Sequence, residues 1–239
     1  MELELKRGGR TARVETLGGE LVSYRDERGL EYIWGGDPAY WPGRNPLLFP
    51  IVGMLKEGKI RFDGREYAME RHGFARRREF TPAARGEDWV RLELRESAET
   101  LALYPYSFRL AVEQRLTDTG FSTAVTVANP GEGPLPFCLG AHTGFRCPLE
   151  AGERFEDYEL VFPERESCPT LLLRDGLLDR PAALPCLEDT DTLPLDYRWF
   201  DALDTLIFEG LRSRSVTLRS RKSGRGVRVS FDGFPMLAF

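Results

Sequence analysis

The sequence predicts an all-β protein that folds as one domain over residues 1–239. Short runs in which polar and apolar residues alternate recur along the whole chain, and this period of two is typical of half-buried strands. Residues that favour turns cluster between the runs. No internal repeat, linker or low-complexity tract divides the chain, and all-β sandwiches or barrels of this length are often undivided.

The first 69 residues hold the first strands and one hairpin. Residues 2–24 contain alternating runs separated by a glycine pair, and residues 59–69 form a hairpin around an Asp-Gly turn. Between them, residues 32–43 are aromatic and rich in turn formers, which fits either a surface loop with core anchors or an aromatic wall of a ligand cleft. Residues 44–53 are apolar but broken by two prolines, so we expect an edge strand or a packed loop.

The remaining strands follow in order to the C-terminus. Residues 89–95, 108–116 and 121–129 alternate cleanly with no helical periodicity between them, which predicts an antiparallel meander. Residues 150–195 are less regular and rich in charge and proline, so strands joined by long loops are expected. A last hairpin is predicted within residues 215–231.

The composition excludes several classes of partner. The net charge of −5 is modest and the arginines are scattered, so no basic face for nucleic acid is expected. The N-terminus lacks the apolar segment of a signal peptide, and no run of 18 apolar residues occurs, so we predict no membrane span and a cytoplasmic location. The four cysteines lack metal-site spacing, which predicts reduced, mostly buried thiols and no metal.

Both histidines of the chain lie in similar glycine-containing turns. His142 stands in GAHTGF at residues 140–145, and His72 stands in RHGFAR at residues 71–76. Imidazole can give or take a proton near neutral pH, and glycine allows a ligand to approach the backbone closely. Either histidine taken alone could be purely structural, but the repeated pattern favours a shared pocket.

These residue types suit a neutral polyhydroxylated ligand. Aromatic rings pack on the apolar faces of sugars, while arginine, aspartate and histidine side chains bond hydroxyl groups. Arg44 could instead be solvated, and Asp204 could instead be a surface or capping carboxylate. The spacing alone does not bring these residues together, because they lie up to 160 positions apart.

The sequence resembles the aldose 1-epimerase (mutarotase) family, and specifically its bacterial galactose-mutarotase-related branch. The resemblance rests on five segments that occur in the expected order over nearly the whole chain: RNPLLFPIVG at 44–53, HGFAR at 72–76, GAHTGF at 140–145, FDALDTLIF at 200–208 and GFPML at 233–237. It implies a large twisted antiparallel β-sandwich, the galactose mutarotase-like supersandwich, with a sugar site on one concave face.

The resemblance also implies a reaction and its residues. Mutarotation opens the sugar ring with one acid and one base and requires no cofactor. His142 would be the general acid at the ring oxygen, and His72 would bond a ring or hydroxyl oxygen. The substrate-binding residues would be Arg44, Asp204, Phe74 and Phe145.

The chain departs from the family pattern at the general base. In the family this base is a glutamate in a Glu-Pro-Trp-like stretch beyond the Phe-Pro-x-Leu segment, whereas this chain stops at Phe239 and no residue matches it. We therefore expect the C-terminal part of the family domain to be missing. Glu209 is not assigned as its replacement, and a second arginine of the family is replaced by Met54.

Three functions stay open at this point. The first is an aldose 1-epimerase acting on a hexose, which the two retained histidines favour. The second is a non-catalytic carbohydrate-binding or sensing protein, which the unmatched glutamate favours. The third is a hexose-6-phosphate 1-epimerase, whose cationic subsite could come from a run of arginines around His72, namely Arg71, Arg76, Arg77 and Arg78. In each case the expected partner is a small-molecule sugar. Whether the chain forms a homodimer is left open by the sequence.

Overall fold

The computed structural model describes residues 1–180 and 183–239 and is built mainly of strands. Strands hold 49% of the residues and helices 8%, so the predicted all-β class is confirmed. The helices are short, and among the described residues none has the length and apolar character needed to cross a bilayer. The chain divides into two compact units, unit 1 (Met1–Arg146) and unit 2 (Cys147–Phe239).

Unit 1 consists of short antiparallel strands with one single-turn α-helix. Its strands are β1 (Glu2–Arg7), β2 (Arg10–Glu15), β3 (Glu20–Arg25), β4 (Leu47–Leu48), β5 (Lys59–Phe62), β6 (Arg65–Ala68), β7 (Thr81–Arg85), β8 (Trp89–Arg95), β9 (Arg109–Leu116), β10 (Phe121–Ala128) and β11 (Gly140–Ala141). The helices are α1 (Ala98–Leu101) and the 3-10 turns Lys56–Gly58 and Ala75–Arg77. The sheets have the orders β1-β2-β3, β10-β9-β8-β7, β5-β6 and β11-β4.

The regular half of the sequence folds as its pattern predicts. Strands β8, β9 and β10 are neighbours in one antiparallel sheet, which confirms the meander. Residues 59–69 form the β5-β6 hairpin, and the Asp-Gly pair at its turn takes positive φ values of 48° and 78°. Aspartate and glycine tolerate this left-handed backbone, so the turn residues determine the hairpin.

An aromatic cluster forms the centre of the core of unit 1. Phe49 is fully buried, with ring centroids 5.3 Å from Phe108, 6.0 Å from Tyr104 and 6.1 Å from Phe74. The tilted and edge-on ring pairs match the arrangements that aromatic quadrupoles prefer. Because Phe49 lies in the proline-broken segment 44–53, the core holds that segment in place.

Unit 2 contains the longest strands of the protein. Its strands are β12 (Tyr158–Arg174), β13 (Leu177–Pro194), β14 (Ile207–Glu209), β15 (Ser215–Ser220), β16 (Gly226–Ser230) and β17 (Met236–Ala238). Its helices are α2 (Tyr197–Leu203) and the 3-10 turn Phe155–Asp157. The sheet order is β16-β15-β12-β14-β17, with β13 also paired to β12. Strands β15 and β16 confirm the hairpin predicted near the C-terminus.

The prediction of long loops within residues 150–195 is wrong. Strands β12 and β13 form one long antiparallel ribbon there, with several shifts of register. Pro163 and Pro169 each lie between register positions where the pairing shifts. Proline has no N–H to donate and is tolerated at such bulges, so the prolines that suggest loops in the sequence are accommodated inside strands.

The cysteines are less buried than predicted. Cys168 is buried, but Cys138 is exposed and the other two are partly buried, so the expectation of mostly buried thiols is wrong. Burial raises the pKa of Cys147 to about 12 and that of Cys186 to about 11, with smaller contributions from Glu153 and Cys168 respectively. Both side chains are therefore thiols at neutral pH.

Candidate active site

The two histidine turns are anchored on one backbone segment of unit 1, residues 46–53. The His142 backbone N–H donates to the carbonyl of Pro46 (3.1 Å), and the His72 N–H donates to the carbonyl of Gly53 (2.8 Å). The carbonyl of Phe49 accepts from the backbone N–H of Phe74, two residues after His72 (3.0 Å). This segment is a two-residue strand within a packed loop, as its prolines predict, and it sets the distance between the turns.

The structure brings the two imidazole rings close together. Their centroids lie 6.1 Å apart, with an angle of 68° between the ring planes. The residues are 70 positions apart in the sequence, so tertiary contacts, including those to residues 46–53, place them side by side. An oxygen-rich molecule at this point could contact both rings.

His72 is held in one orientation and one protonation state. Its Nδ1 accepts a hydrogen bond from the backbone N–H of Gly53 (3.0 Å), and the residue takes a positive φ of 68°. Burial lowers its pKa to about 4, and the charges of Arg76, Arg71 and His142 act in the same direction. At neutral pH the single ring proton therefore lies on Nε2, which makes His72 a hydrogen-bond donor and not a base.

His142 has a freer ring. The residue as a whole is exposed, and no described residue hydrogen-bonds to its ring nitrogens. One face stacks on Trp41, with centroids 4.8 Å apart and an interplanar angle of 28°. The protein atoms crowded around it lower its pKa by burial, and the charges of Arg71 and Arg76 lower it further. Both ring nitrogens of His142 are therefore available to a ligand, for proton transfer or for a hydrogen bond.

Arg44 lies beside the His142 turn. Its carbonyl accepts from the Gly144 N–H (2.6 Å), and its own N–H donates to the Glu20 carboxylate (2.8 Å). Its guanidinium packs against Gly36, where an added Cβ would lie 3.0 Å from Cζ. The guanidinium forms no ion pair with any described residue, so its donors are available.

The other predicted binding residues occupy different environments. Phe74 is 5% exposed and packs in the aromatic core with Phe49 and Phe108, which leaves almost none of its ring for a ligand. Phe145 is partly buried against that core. Asp204 belongs to unit 2, where it is exposed at the end of α2 and has a positive φ of 61°.

Three further residues build the site without having been singled out from the sequence. Trp41 stacks on His142, Asn45 accepts from the Thr143 hydroxyl (2.5 Å), and Glu20 accepts from the backbone N–H of Asn45 (2.5 Å). The aromatic composition of residues 32–43 was a signal for Trp41, since a ligand-cleft wall was one interpretation of that segment. The roles of Asn45 and Glu20 depend on long-range contacts that leave no local pattern.

Both histidines should titrate below the ordinary pKa of imidazole. We expect His72 to titrate near pH 4, because burial and nearby positive charge disfavour its protonated form, and His142 to titrate below 6.5 for the same reasons. Proton–carbon NMR can follow both, since the chain has two histidines, and His72→Gln assigns the signals. An ordinary pKa for His72 would contradict its burial and its bond from Gly53.

The fold is that of the galactose mutarotase-like proteins. Two solved structures share this fold and are more than a quarter identical to the chain in sequence. A galactose mutarotase related enzyme from Lactobacillus acidophilus matches with a TM-score of 0.94 and 27% identity, covering 100% of this chain and 79% of that one. A galactose mutarotase-like protein from Lactobacillus casei ATCC 334 matches with a TM-score of 0.87 and 29% identity, covering 100% and 82%.

The chain belongs to the aldose 1-epimerase family. The model of that family, Aldose 1-epimerase, matches residues 1–235. Two similar proteins are the plasmid and chromosomal forms of Protein LacX from Lactococcus lactis subsp. lactis, at 44% and 43% identity over 99% of this chain and 82% of each relative. The family and the fold predicted from the sequence motifs are therefore confirmed.

Proposed function

We propose that this protein is an aldose 1-epimerase that interconverts the α and β anomers of a hexose. The observation that carries the proposal is the pair of neighbouring imidazole rings, 6.1 Å apart, one with a fixed donor and one with both nitrogens free. Membership of the aldose 1-epimerase family supports it.

The reaction requires two proton transfers and no redox step. The His142 imidazolium donates a proton to the ring oxygen as the bond between that oxygen and the anomeric carbon breaks, and a base removes the proton of the anomeric hydroxyl. The resulting carbonyl rotates about its bond to the next carbon. The ring hydroxyl then attacks its other face, returning its proton to His142 while the base returns the other to the anomeric oxygen.

The remaining residues orient the sugar. His72 donates from Nε2 to a ring or hydroxyl oxygen, because its Nδ1 is occupied by the Gly53 N–H. Arg44 supplies free guanidinium donors for hydroxyl groups, and Phe145 offers a partly exposed ring. Phe74 supports the site from the core, and Asp204 is proposed from its family motif to accept from sugar hydroxyls. The base is not assigned to any of these residues.

Anomer exchange measured by NMR or polarimetry tests this proposal. We expect the protein to accelerate interconversion of galactose or glucose anomers over the spontaneous rate. Sugar binding by calorimetry without acceleration would reject catalysis and leave a non-catalytic carbohydrate-binding protein, the alternative function. Neither acceleration nor binding would reject both.

A second candidate, a hexose-6-phosphate 1-epimerase, is favoured by unpaired positive charge at the site. Arg77 and Arg78 form ion pairs with Glu70 and Glu99, which neutralise them. Arg71 and Arg76 form no ion pair with any described residue, and both lower the pKa of the two histidines.

Arg76 is the better placed of these two arginines to bind an anion. Its Nε is buried without a hydrogen-bond partner, its Nη2 donates to the Arg71 carbonyl (2.9 Å), and burial lowers its pKa. The negative charges of Glu70 and Glu20 raise the pKa of Arg76 but only partly offset the effect of burial. A phosphate group would satisfy the free donor and balance the charge.

Substrate preference in arginine variants separates the two candidates. For a phosphate subsite we expect Arg76→Gln to lower the ratio of kcat/KM for galactose 6-phosphate to kcat/KM for galactose by about tenfold, the scale of one charge-assisted hydrogen bond. The ratio cancels the effect of Arg76 on the pKa of the histidines, because both sugars share it. Arg77→Gln is the matched control, since it removes the same charge from a residue already paired with Glu70. Equal kcat/KM for the two sugars in the wild type would rule out the phosphate subsite.

A further inference from the structure

The His142 ring is not oriented by any hydrogen bond from the described residues. No such residue bonds to either of its ring nitrogens, whereas the ring of His72 is fixed by the Gly53 N–H. A proton-transferring histidine is usually oriented by a partner on its second nitrogen, which also selects the tautomer. Something other than a hydrogen bond must therefore hold this ring.

The indole of Trp41 provides a rigid contact surface for the ring. It stacks on His142 with centroids 4.8 Å apart and is itself pressed against two glycines. A Cβ added at Gly43 would lie 2.6 Å from its Cζ2, and one added at Gly144 would lie 2.7 Å from its Cζ3. Real Cβ contacts are not this short, so only glycine at these positions leaves room for the indole where it stacks on His142.

The backbone around Trp41 is tied to the His142 turn. The Trp41 carbonyl accepts from Trp34 Nε1 (2.8 Å), and the Trp41 N–H donates to the Asp37 carbonyl (2.8 Å). The Trp34 N–H donates to the carbonyl of Gly144 (2.9 Å), two residues after His142. The backbone segments that carry Trp41 and His142 are therefore connected by hydrogen bonds through Trp34.

We propose that Trp41 is a positioning residue that fixes the His142 ring and stabilises its imidazolium form through the indole π face. The inference rests on the proposed epimerase function. It adds to that function a residue, Trp41, that does not itself touch the reacting atoms. A stacked ring cannot rotate about its bond to Cβ without losing the contact, so the donating nitrogen keeps its direction. The π face attracts the positive charge that His142 carries before it donates its proton.

The charged groups facing His142 make this stabilisation necessary. Arg71 and Arg76 both disfavour its positive charge, and His72, the titratable neighbour, is neutral near pH 7. No carboxylate forms an ion pair with His142 among the described residues. Trp41 is therefore the contact on this ring that favours the imidazolium.

Substitutions that keep or remove the aromatic face test the role of Trp41. We expect Trp41→Leu to lower kcat by about ten- to hundredfold with little change in KM, since the acid is misdirected while the sugar contacts remain. Trp41→Phe keeps a π face and should retain most of kcat. Trp89→Phe is the control, because Trp89, the first residue of β8, packs under Arg115 of β9 and has no ring contact with either histidine.

The titration of His142 gives a readout that does not need the substrate. By proton–carbon NMR, the pKa of His142 should be lower in Trp41→Leu than in Trp41→Phe, because the leucine side chain fills space without a π face. Wild-type kcat together with equal His142 titration in the two variants would overturn the proposal. A merely structural role of Trp41 would lower stability in both variants without separating their titrations.

Gly43→Ala provides an independent test of the same stack. The three atoms nearest to the added methyl all belong to the Trp41 indole, and Gly43 does not have a left-handed backbone that alanine would strain. We expect Gly43→Ala to displace the indole and to reproduce the kcat loss of Trp41→Leu. In the Trp41→Leu background the same change should have almost no further effect, and additive losses would contradict the proposal.

The proposed function and the role of Trp41 can fail separately. Absence of acceleration by the wild-type protein would reject the epimerase assignment, and with it the catalytic role of the stack. An active wild type whose Trp41→Leu variant keeps full kcat would reject the role of Trp41 alone.

Discussion

Replacing His142 with glutamine is expected to lower kcat/KM for anomer interconversion by roughly 10²–10⁴-fold, the contribution typical of a positioned general acid. Glutamine keeps the approximate size and a hydrogen-bonding group but cannot deliver a proton at neutral pH. NMR exchange between the anomers of galactose measures the loss. The His142 ring makes no hydrogen bond with a described residue, so the substitution leaves no polar group without its partner and we expect little change in stability.

His72→Gln is the matched control for this prediction. His72 is neutral and acts as a donor from Nε2, so an amide can replace its hydrogen bond, and we expect a loss of about tenfold or less. In His142→Gln the remaining His72 signal, still titrating near pH 4, would show that the site is folded. If the two variants lost activity equally, the assignment of His142 as the acid would be wrong.

The pH profile of the wild type should agree with the same assignment. The acid must be protonated before it donates, and the pKa of His142 lies below its ordinary 6.5 because of burial and the charges of Arg71 and Arg76. The fraction of active free protein therefore falls as the pH rises through that pKa, and kcat/KM should fall with it. A profile that rises over this range would mean that His142 acts as a base.

Gly73→Ala is expected to destabilise unit 1 by about 2–5 kcal/mol, the largest stability effect that we predict. Gly73 has a positive φ of 69°, which costs a non-glycine residue about 1–2 kcal/mol. A Cβ at this position would lie 2.2 Å from the carbonyl oxygen of Phe49, so the backbone must move, at a further cost of about 1–3 kcal/mol. Urea unfolding would measure the change.

Gly64→Ala separates the two contributions. Gly64 also has a positive φ, 78°, but an added Cβ there would meet no atom within 4 Å. We therefore expect a loss of about 1–2 kcal/mol, due to backbone conformation alone. Equal losses in the two variants would show that the contact with Phe49 relaxes at no cost. Because Phe49 connects the His72 turn to the core, Gly73→Ala should also shift the His72 resonance.

Local pattern was sufficient for the hairpins and the meander of this protein, and the resemblance of five sequence segments was sufficient for its family. Alternating polarity is a property of each strand by itself, and the Asp63-Gly64 turn acts over two residues, so both can be recognised without tertiary information. The irregular ribbon of residues 150–195 was missed for a physical reason. Proline in a strand is tolerated only where a bulge accommodates it, and bulges depend on the partner strand.

The sequence by itself determined that this is an all-β member of the aldose 1-epimerase family with His72 and His142 as its candidate chemical residues. Only the tertiary structure decided that the rings lie 6.1 Å apart, that His72 is a neutral donor and that Trp41 stacks on His142. It also placed the Phe74 ring in the core. These properties arise from burial, from backbone hydrogen bonds and from ring contacts between segments distant in the chain, and no local pattern of residues encodes them.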